Sequence, residues 1–437
     1  MMSRAGESRG WAIVPGLARV MWSLIVIVGL LLAGGPGMAA AGQSPFEVPP
    51  VLKASDLVGP ELLKGRRFRV DEKVPTSDLV ARFSLRSDFG TFEAHGREML
   101  RIRVAELAAI EQLEATSKTE TFLKAAGSAG ARPVQAAANI VMSPVETAKG
   151  VPAGLGRFYD RMAMGAQHIA EAATDSGKSD AEKTDEVTRR VGSITADAFG
   201  YEQERRALAK SLRADPYTTN PVLAAKLSDL AWVAFSGRLS VNTLISVAVP
   251  TSMVVTATSV TNDMVWDTKP ADLLKRHSET LATMGVGEQG VRAMIKNQWY
   301  SLTVLTLFVN GLERLRGATG RAEVVSLAAG ATSEDDARFL TGCVQMLAKH
   351  HETVERLSEV AGRGTVIGRT SGGAVVVPGP VDYLSWTERI SNFAKRPDLQ
   401  AKARGIWLTG RMSPRAKQEF APLGWAVHEG VSPQVGK

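Results

Sequence analysis

The sequence predicts an α+β fold, predominantly helical: an N-terminal β-hairpin plus helix, a central helical domain and a small C-terminal α/β unit. Three patterns carry that expectation. Leu79, Ala81, Phe83 and Leu85 alternate with Val80, Arg82, Ser84 and Arg86, the period of a half-buried strand. Residues 187–362 repeat apolar side chains at helical spacing between recognisable caps. After Arg363 the chain turns to short apolar runs broken by Gly and Pro, ending in a strand–helix–strand order.

Taken in order, the first element is an export address. Arg4, Arg9 and Arg19 precede an apolar run from Val20 to Ala33, and Ala39-Ala40-Ala41 follows Gly34, Gly35 and Pro36. A basic start, an apolar run of this length and a small-residue cleavage site are the three parts of a secretory signal. The run is short for a membrane span, which needs ~20 apolar residues. Residues 1–41 are therefore expected to be a cleaved signal peptide, which places the protein in the periplasm or outside the cell. The alternative is an uncleaved signal anchoring it to the inner membrane. None of the asparagines lies in a glycosylation sequon, and Cys343 is the single cysteine, which suits a bacterial envelope.

Residues 42–126 form the hairpin–helix unit. Asp88-Phe89-Gly90 supplies the turn, Thr91–Ala94 the return strand, and Arg97–Glu114 a helix with Leu100, Val104, Leu107 and Ile110 on one face. Residues 127–186 are an Ala/Gly/Pro-rich connecting region, in which Pro133 and Pro144 open two similar 11-residue stretches. In the helical domain, 187–362, Asn220-Pro221, Pro270 and Ser333 mark helix starts. The Ser333 helix is expected to run to Gly362 with Leu340, Val344, Leu347, Val354 and Leu357 in one stripe. Trp299–Leu312 reads as a buried helix. The charge-poor, hydroxyl-rich stretch 239–262 reads as buried core, with membrane insertion as the alternative.

The C-terminal unit, 363–437, carries eleven basic residues against five acids. Thr365–Arg369 and Ala374–Val377 flank Ser371-Gly372-Gly373 as a hairpin. A helix is expected over 387–404, a strand over Ile406–Thr409, a helix from Ser413-Pro414 and a parallel strand at Trp425–His428. The turn after the first of these parallel strands joins free amides to a helix start, so Thr409, Gly410, Arg411 and Ser413, with Lys402, Arg404 and Arg415, are the candidate anion site. An anionic membrane surface or envelope polymer is the expected partner, with no nucleic acid and no nucleotide cofactor.

Catalytic residues are not identifiable from the sequence. The GxGxxG at Gly285–Gly290 follows a predicted helix rather than a strand, Asp88-Phe89-Gly90 has no kinase catalytic loop to serve, and Gly177-Lys178-Ser179 lacks a phosphate loop's first glycine. The adjacent His350 and His351 point about 100° apart on a helix and cannot easily share a metal, His351 with Glu355 makes at most a half-site, and no metal or cofactor is expected. Composition and location together predict a non-enzymatic, exported envelope protein that binds or organises an anionic component. The alternatives are an envelope hydrolase whose site comes together only in the fold, either Cys343 meeting His350 or His351 or two carboxylates with shifted pKa values, and a membrane-integrated component.

Overall fold

In a computed structural model of the chain, the described residues are 44–77, 79–129, 200–237, 240 and 259–432. Residues 1–41, where a signal peptide is expected, most of 127–186 and most of 239–262 fall outside them. The fold is α+β with helices predominant.

The N-terminal part begins with β1 (Val51–Lys53), two one-turn helices, α1 (Ala54–Leu57) and α2 (Pro60–Leu63), then β2 (Lys64–Gly65), β3 (Phe68–Val70) and β4 (Lys73–Pro75). The expected hairpin follows as β5 (Arg82–Ser87) and β6 (Gly90–His95), with Ser87 paired to Gly90 across an Asp88-Phe89 turn. Strands β2, β3, β5 and β6 make one antiparallel sheet, and β1 pairs with β4. Ala81, Phe83, Leu85, Phe92 and Ala94 bury one face against α3 (Arg97–Ser117). That helix presents Leu100, Val104, Leu107 and Ile110 inward, and α4 (Glu120–Ala129) continues beyond it.

After a helical stretch over 200–211, α5 (Pro221–Phe235) starts where expected. Asn220 Oδ1 accepts from the Val222 and Leu223 amides, and Pro221 takes the first position, where its missing N–H costs nothing. Then come α6 (Ser259–Asp267), α7 (Pro270–Thr283), α8 (Glu288–Lys296), α9 (Leu302–Arg314), α10 (Arg321–Ala329) and α11 (Glu334–Thr353). Helix α9 is a core helix, with Phe308 and Val309 fully buried. Ser333 caps α11 by accepting from Asp336 N. Helix α7 precedes the GxGxxG, as the sequence implies. No helix among the described residues is long and apolar enough to cross a membrane.

One helix ends earlier than expected. Helix α11 stops at Thr353, and Leu357–Gly362 is a strand, β7. Leu357 N donates to His351 Nδ1, turning the chain out of the helix, and β7 pairs antiparallel with β8 (Val366–Thr370). The remaining elements are β9 (Val375–Gly379), β10 (Tyr383–Leu384), α12 (Glu388–Ala394), β11 (Arg404–Leu408), β12 (Arg411–Met412), α13 (Pro414–Phe420) and β13 (Trp425–His428). The helix expected over 387–404 is only α12. Pro397 holds Arg396 in an extended conformation, ψ 129°, which closes off the helix.

Five strands form the C-terminal sheet in the order β13-β11-β9-β8-β7, with β9, β11 and β13 mutually parallel. It is buried on both sides. Leu357, Val360, Val366, Val376 and Trp407 face the helical core with Leu347 of α11. Ile367, Val375, Val377, Ile406 and Leu408 face α12 and α13, where Trp386, Phe420 and Trp425 gather. Two-sided burial explains the unbroken apolar runs of β9 and β11.

The two ends of the described chain meet at Asp382. Its carboxylate accepts from the amides of Ala81 (3.0 Å) and Arg97 (3.1 Å) and from Arg97 Nε (3.0 Å). Its own amide donates to Leu79 O, and its carbonyl accepts from Arg411 N. Helix α3 has no side-chain cap of its own, because Gly96 at φ +93° precedes it. Asp382, 285 residues on, supplies the acceptor and the negative charge that a helix start favours. Gly410 lies so close that a Cβ there would stand 2.0 Å from Asp382 O. From Phe46 on, the chain is one compact unit. Replacing Asp382 with Ala leaves a guanidinium and two amides without their acceptor. We expect a loss of about 3 kcal/mol in urea unfolding, whereas Asp382→Asn, which keeps an acceptor, loses less.

Candidate functional site

The three parallel strands end together, at Gly379, Leu408 and His428. The chain leaving them supplies Pro380 and Asp382, Thr409, and Gly430 and Val431 to one wall of a cleft of about 400 Å³. The opposite walls come from the start of α3 and from facing positions on α9 and α11. In open α/β sheets this is where ligands gather, outside the carboxyl ends of the strands.

Charged side chains enter from all sides, and each has a partner. Arg97 joins Asp382 and donates through Nη2 to Thr409 O (2.7 Å). Arg101 meets Glu98, and Arg314 holds Glu352 with two nitrogens and Gln345 with the third. His95 Nδ1 lies 2.5 Å from Asp335 Oδ2. That hydrogen bond raises the imidazole pKa above its ordinary value. The pair is 38% and 56% exposed, so it contributes no more than ~1 kcal/mol to stability.

Arg338 differs from the rest. Its Nε donates to Glu334 Oε1 (2.7 Å), while its two terminal nitrogens have no hydrogen-bond partner among the described residues. The side chain is 26% exposed and lines the cleft. A buried polar network fixes it from behind. Glu334 Oε1 also accepts from Thr219 Oγ1 (2.9 Å), which accepts from Arg103 Nη2 (2.8 Å). Arg103 Nη1 donates to Glu106 (2.9 Å), and Glu106 also accepts from Asn220 Nδ2 (2.9 Å) and Thr218. Burial works to raise the Glu334 pKa, but Arg338 and Arg103 outweigh it and hold it below the ordinary carboxylate range.

The residues selected from the sequence lie elsewhere, apart from Thr409. Thr409 Oγ1 donates to Val381 O and Ser413 Oγ to Glu47. Ser413 Oγ also accepts from Ala416 N, so it caps α13 itself. Arg411 donates to Asp56 O, and Arg404 to Leu423 O while lying over the Trp425 ring. Gly410 packs against the Asp382 backbone. Lys402 is exposed, and Arg415 lies 4.0 Å from Glu419. Glu47 and Glu429 already act as the anions beside this turn, Glu429 accepting from Met412 N and Lys417. No local sequence signal marks the cleft, because its partners lie up to 312 residues apart.

Cys343 is fully buried with Sγ 3.8 Å from Pro378 O, and burial pushes its thiol pKa far up. It does not line the cleft. His350 stands edge-on to Trp407, which stacks on His428. His351 Nδ1 is the acceptor that ends α11. Among the described residues there is no cluster of three or more His, Cys, Asp or Glu placed to hold a metal ion. Comparison with protein-family models, curated proteins and solved structures gives no match.

One further histidine sets an acid limit on stability. His277 is buried, and its Nε2 lies 2.8 Å from Thr306 Oγ1. The Thr306 proton goes to Leu302 O, so the imidazole donates and is the Nε2–H tautomer. Burial, then the charge of Arg276, pulls the His277 pKa down to about 4. The unfolded chain therefore takes up the proton first. Stability from this site is complete above the unfolded pKa of ~6.5 and falls as pH drops towards 4, by roughly 3 kcal/mol. The urea midpoint is expected to decline across that window, and His277→Gln to decline less.

Proposed function

We propose that this chain is an exported envelope protein that binds an anionic component and performs no chemistry on it. The observation that carries the reading is the cleft itself. Of the arginines that line it beside Glu98, Asp335 and Asp382, at the carboxyl ends of three parallel strands, Arg97, Arg101 and Arg314 are held by protein acceptors, and Arg338 alone keeps both terminal nitrogens without one among the described residues. The N-terminal sequence supports export, through its basic start, apolar run and Ala39-Ala40-Ala41. The outer face of the basic tail contributes less to this reading, since Arg396, Arg404, Arg411 and Lys417 are held by protein acceptors. The test has two parts. N-terminal sequencing of protein from the envelope fraction is expected to start after Ala41. Purified mature protein should be retained by phosphatidylglycerol vesicles and not by phosphatidylcholine ones. Arg101→Gln with Arg338→Gln should weaken retention more than Lys402→Gln with Arg415→Gln. An intact chain in the cytosol, or equal retention by both lipids, overturns the proposal.

A hydrolytic reading rests on His95. Asp335 holds its Nδ1, and its Nε2 has no protein partner among the described residues, which is the arrangement of a general base. Turnover of p-nitrophenyl acetate that falls ~100-fold in His95→Gln would establish it. Wild-type turnover equal to the variant's removes it.

A further inference from the structure

Within the envelope-binding reading, on which this inference rests, the cleft also defines its ligand's chemistry. Its lining includes four part-buried apolar side chains, Ile102, Leu307, Phe339 and Pro380, contributed by α3, α9, α11 and the segment after β9. Arg338 lines the same cleft, as does Phe339, the next residue on α11. The chain from Arg103 through Thr219 to Glu334 fixes the plane of its guanidinium before any ligand arrives. A guanidinium held through Nε presents its two terminal nitrogens as a fork, which matches two oxygens of a carboxylate or phosphate. Such a fork with no protein acceptor, in a cleft that apolar side chains also line, fits a ligand with one oxyanion head and an apolar body.

We propose that the cleft binds a small amphiphilic anion, an alkyl or acyl chain ending in a carboxylate or a phosphate, with its head on Arg338 and its body against Phe339, Leu307 and Ile102. The other arginines answer differently. Arg314 has all three nitrogens in hydrogen bonds, Arg97 is bound to Asp382 and Thr409, and Arg101 gives one terminal nitrogen to Glu98 with its side chain 55% exposed, so only Arg338 of the four keeps both terminal nitrogens without a protein acceptor among the described residues. Arg338 is therefore the anchor, and its loss should matter more than the loss of charge elsewhere on the surface.

Isothermal titration of the mature protein with octanoate, octyl phosphate, octanol and inorganic phosphate tests this. At least one of the two amphiphilic anions is expected to bind more tightly than octanol and more tightly than inorganic phosphate. Whichever binds identifies the head group, a free acid or a phosphate ester. Arg338→Gln should weaken that binding at least tenfold, and Lys402→Gln should leave it unchanged. Arg338→Lys keeps a charge for Glu334 but lacks the fork, and should also weaken it. If Arg338→Gln does not fold, Phe339→Ala gives the independent measure, weakening the amphiphiles and leaving inorganic phosphate as it was. Equal affinity of wild type and Arg338→Lys, or inorganic phosphate binding as well as the amphiphiles, overturns the inference. Protein that ignores both amphiphiles yet is retained by phosphatidylglycerol vesicles overturns the inference alone. Loss of both removes it together with the envelope-binding reading.

Discussion

The cleft exists because one carboxylate, Asp382, is held by two distant parts of the chain. Its acceptors take the first amide of α3, an amide from the hairpin and the Arg97 guanidinium. A nearly buried carboxylate is tolerable only when its lone pairs are filled and its charge is balanced, and here both conditions depend on the hairpin docking beside β10 and β11. The same contact ties the start of α3 to the end of β9. It is joined there by Arg97 Nη2 on Thr409 O, so the helix that carries Arg97 and Arg101 is held to the segments that carry Asp382 and Thr409. The wall of the cleft and the register of the fold follow from one ion pair and its amides.

A second buried system sets the opposite wall. Arg103, Glu106, Thr218, Thr219, Asn220 and Glu334 join α3, the loop before α5 and the first turn of α11. Burying these charges is expensive, and packed apolar side chains of equal volume would often stabilise as much. What an apolar patch would not provide is direction. Helices that meet through hydrocarbon can slide or rotate by small amounts, whereas a string of hydrogen bonds of 2.7–2.9 Å fixes one arrangement. Its last member, Glu334, points Arg338 at the cleft. Asn220 serves both purposes, capping α5 through Oδ1 and holding Glu106 through Nδ2.

Much of the local structure was legible because its causes are local. Asn220-Pro221, Ser333 and Ser413-Pro414 each place a capping acceptor where free amides need one, and all three start helices as read. The alternation Ala81, Phe83, Leu85 needs only a sheet with one wet face. The failures lie where a distant partner decides. Val354 and Leu357 continue the helical spacing of α11, yet Val354 is exposed and Leu357 belongs to β7, since the edge of β8 offers that segment a ladder. The helix expected over 387–404 ends at Ala394, because Pro397 imposes its own conformation on Arg396 before it. The candidate site suffered in the same way. A count of tail cations says nothing about whether Leu423 O or Asp56 O lies within reach of a guanidinium, and those acceptors come from other parts of the fold.

Position, more than net charge, separates the two basic regions. Cations on the outer tail sit in high dielectric, where salt screens them within ~10 Å at 0.1 M. They can gather a ligand but discriminate little. Arg338 lies partly withdrawn from water, its counter-charge Glu334 is already bonded on one side, and its unfilled donors are directed by that bond. On the proposed reading, an oxyanion there would exchange water for a prearranged fork, and the apolar lining would remove surface that water otherwise covers. On that reading, selectivity by shape and head group would belong to the cleft. The excess of basic residues after Arg363 is in large part the fold's own fastening, with guanidinium groups tying carbonyls at the ends of strands and helices.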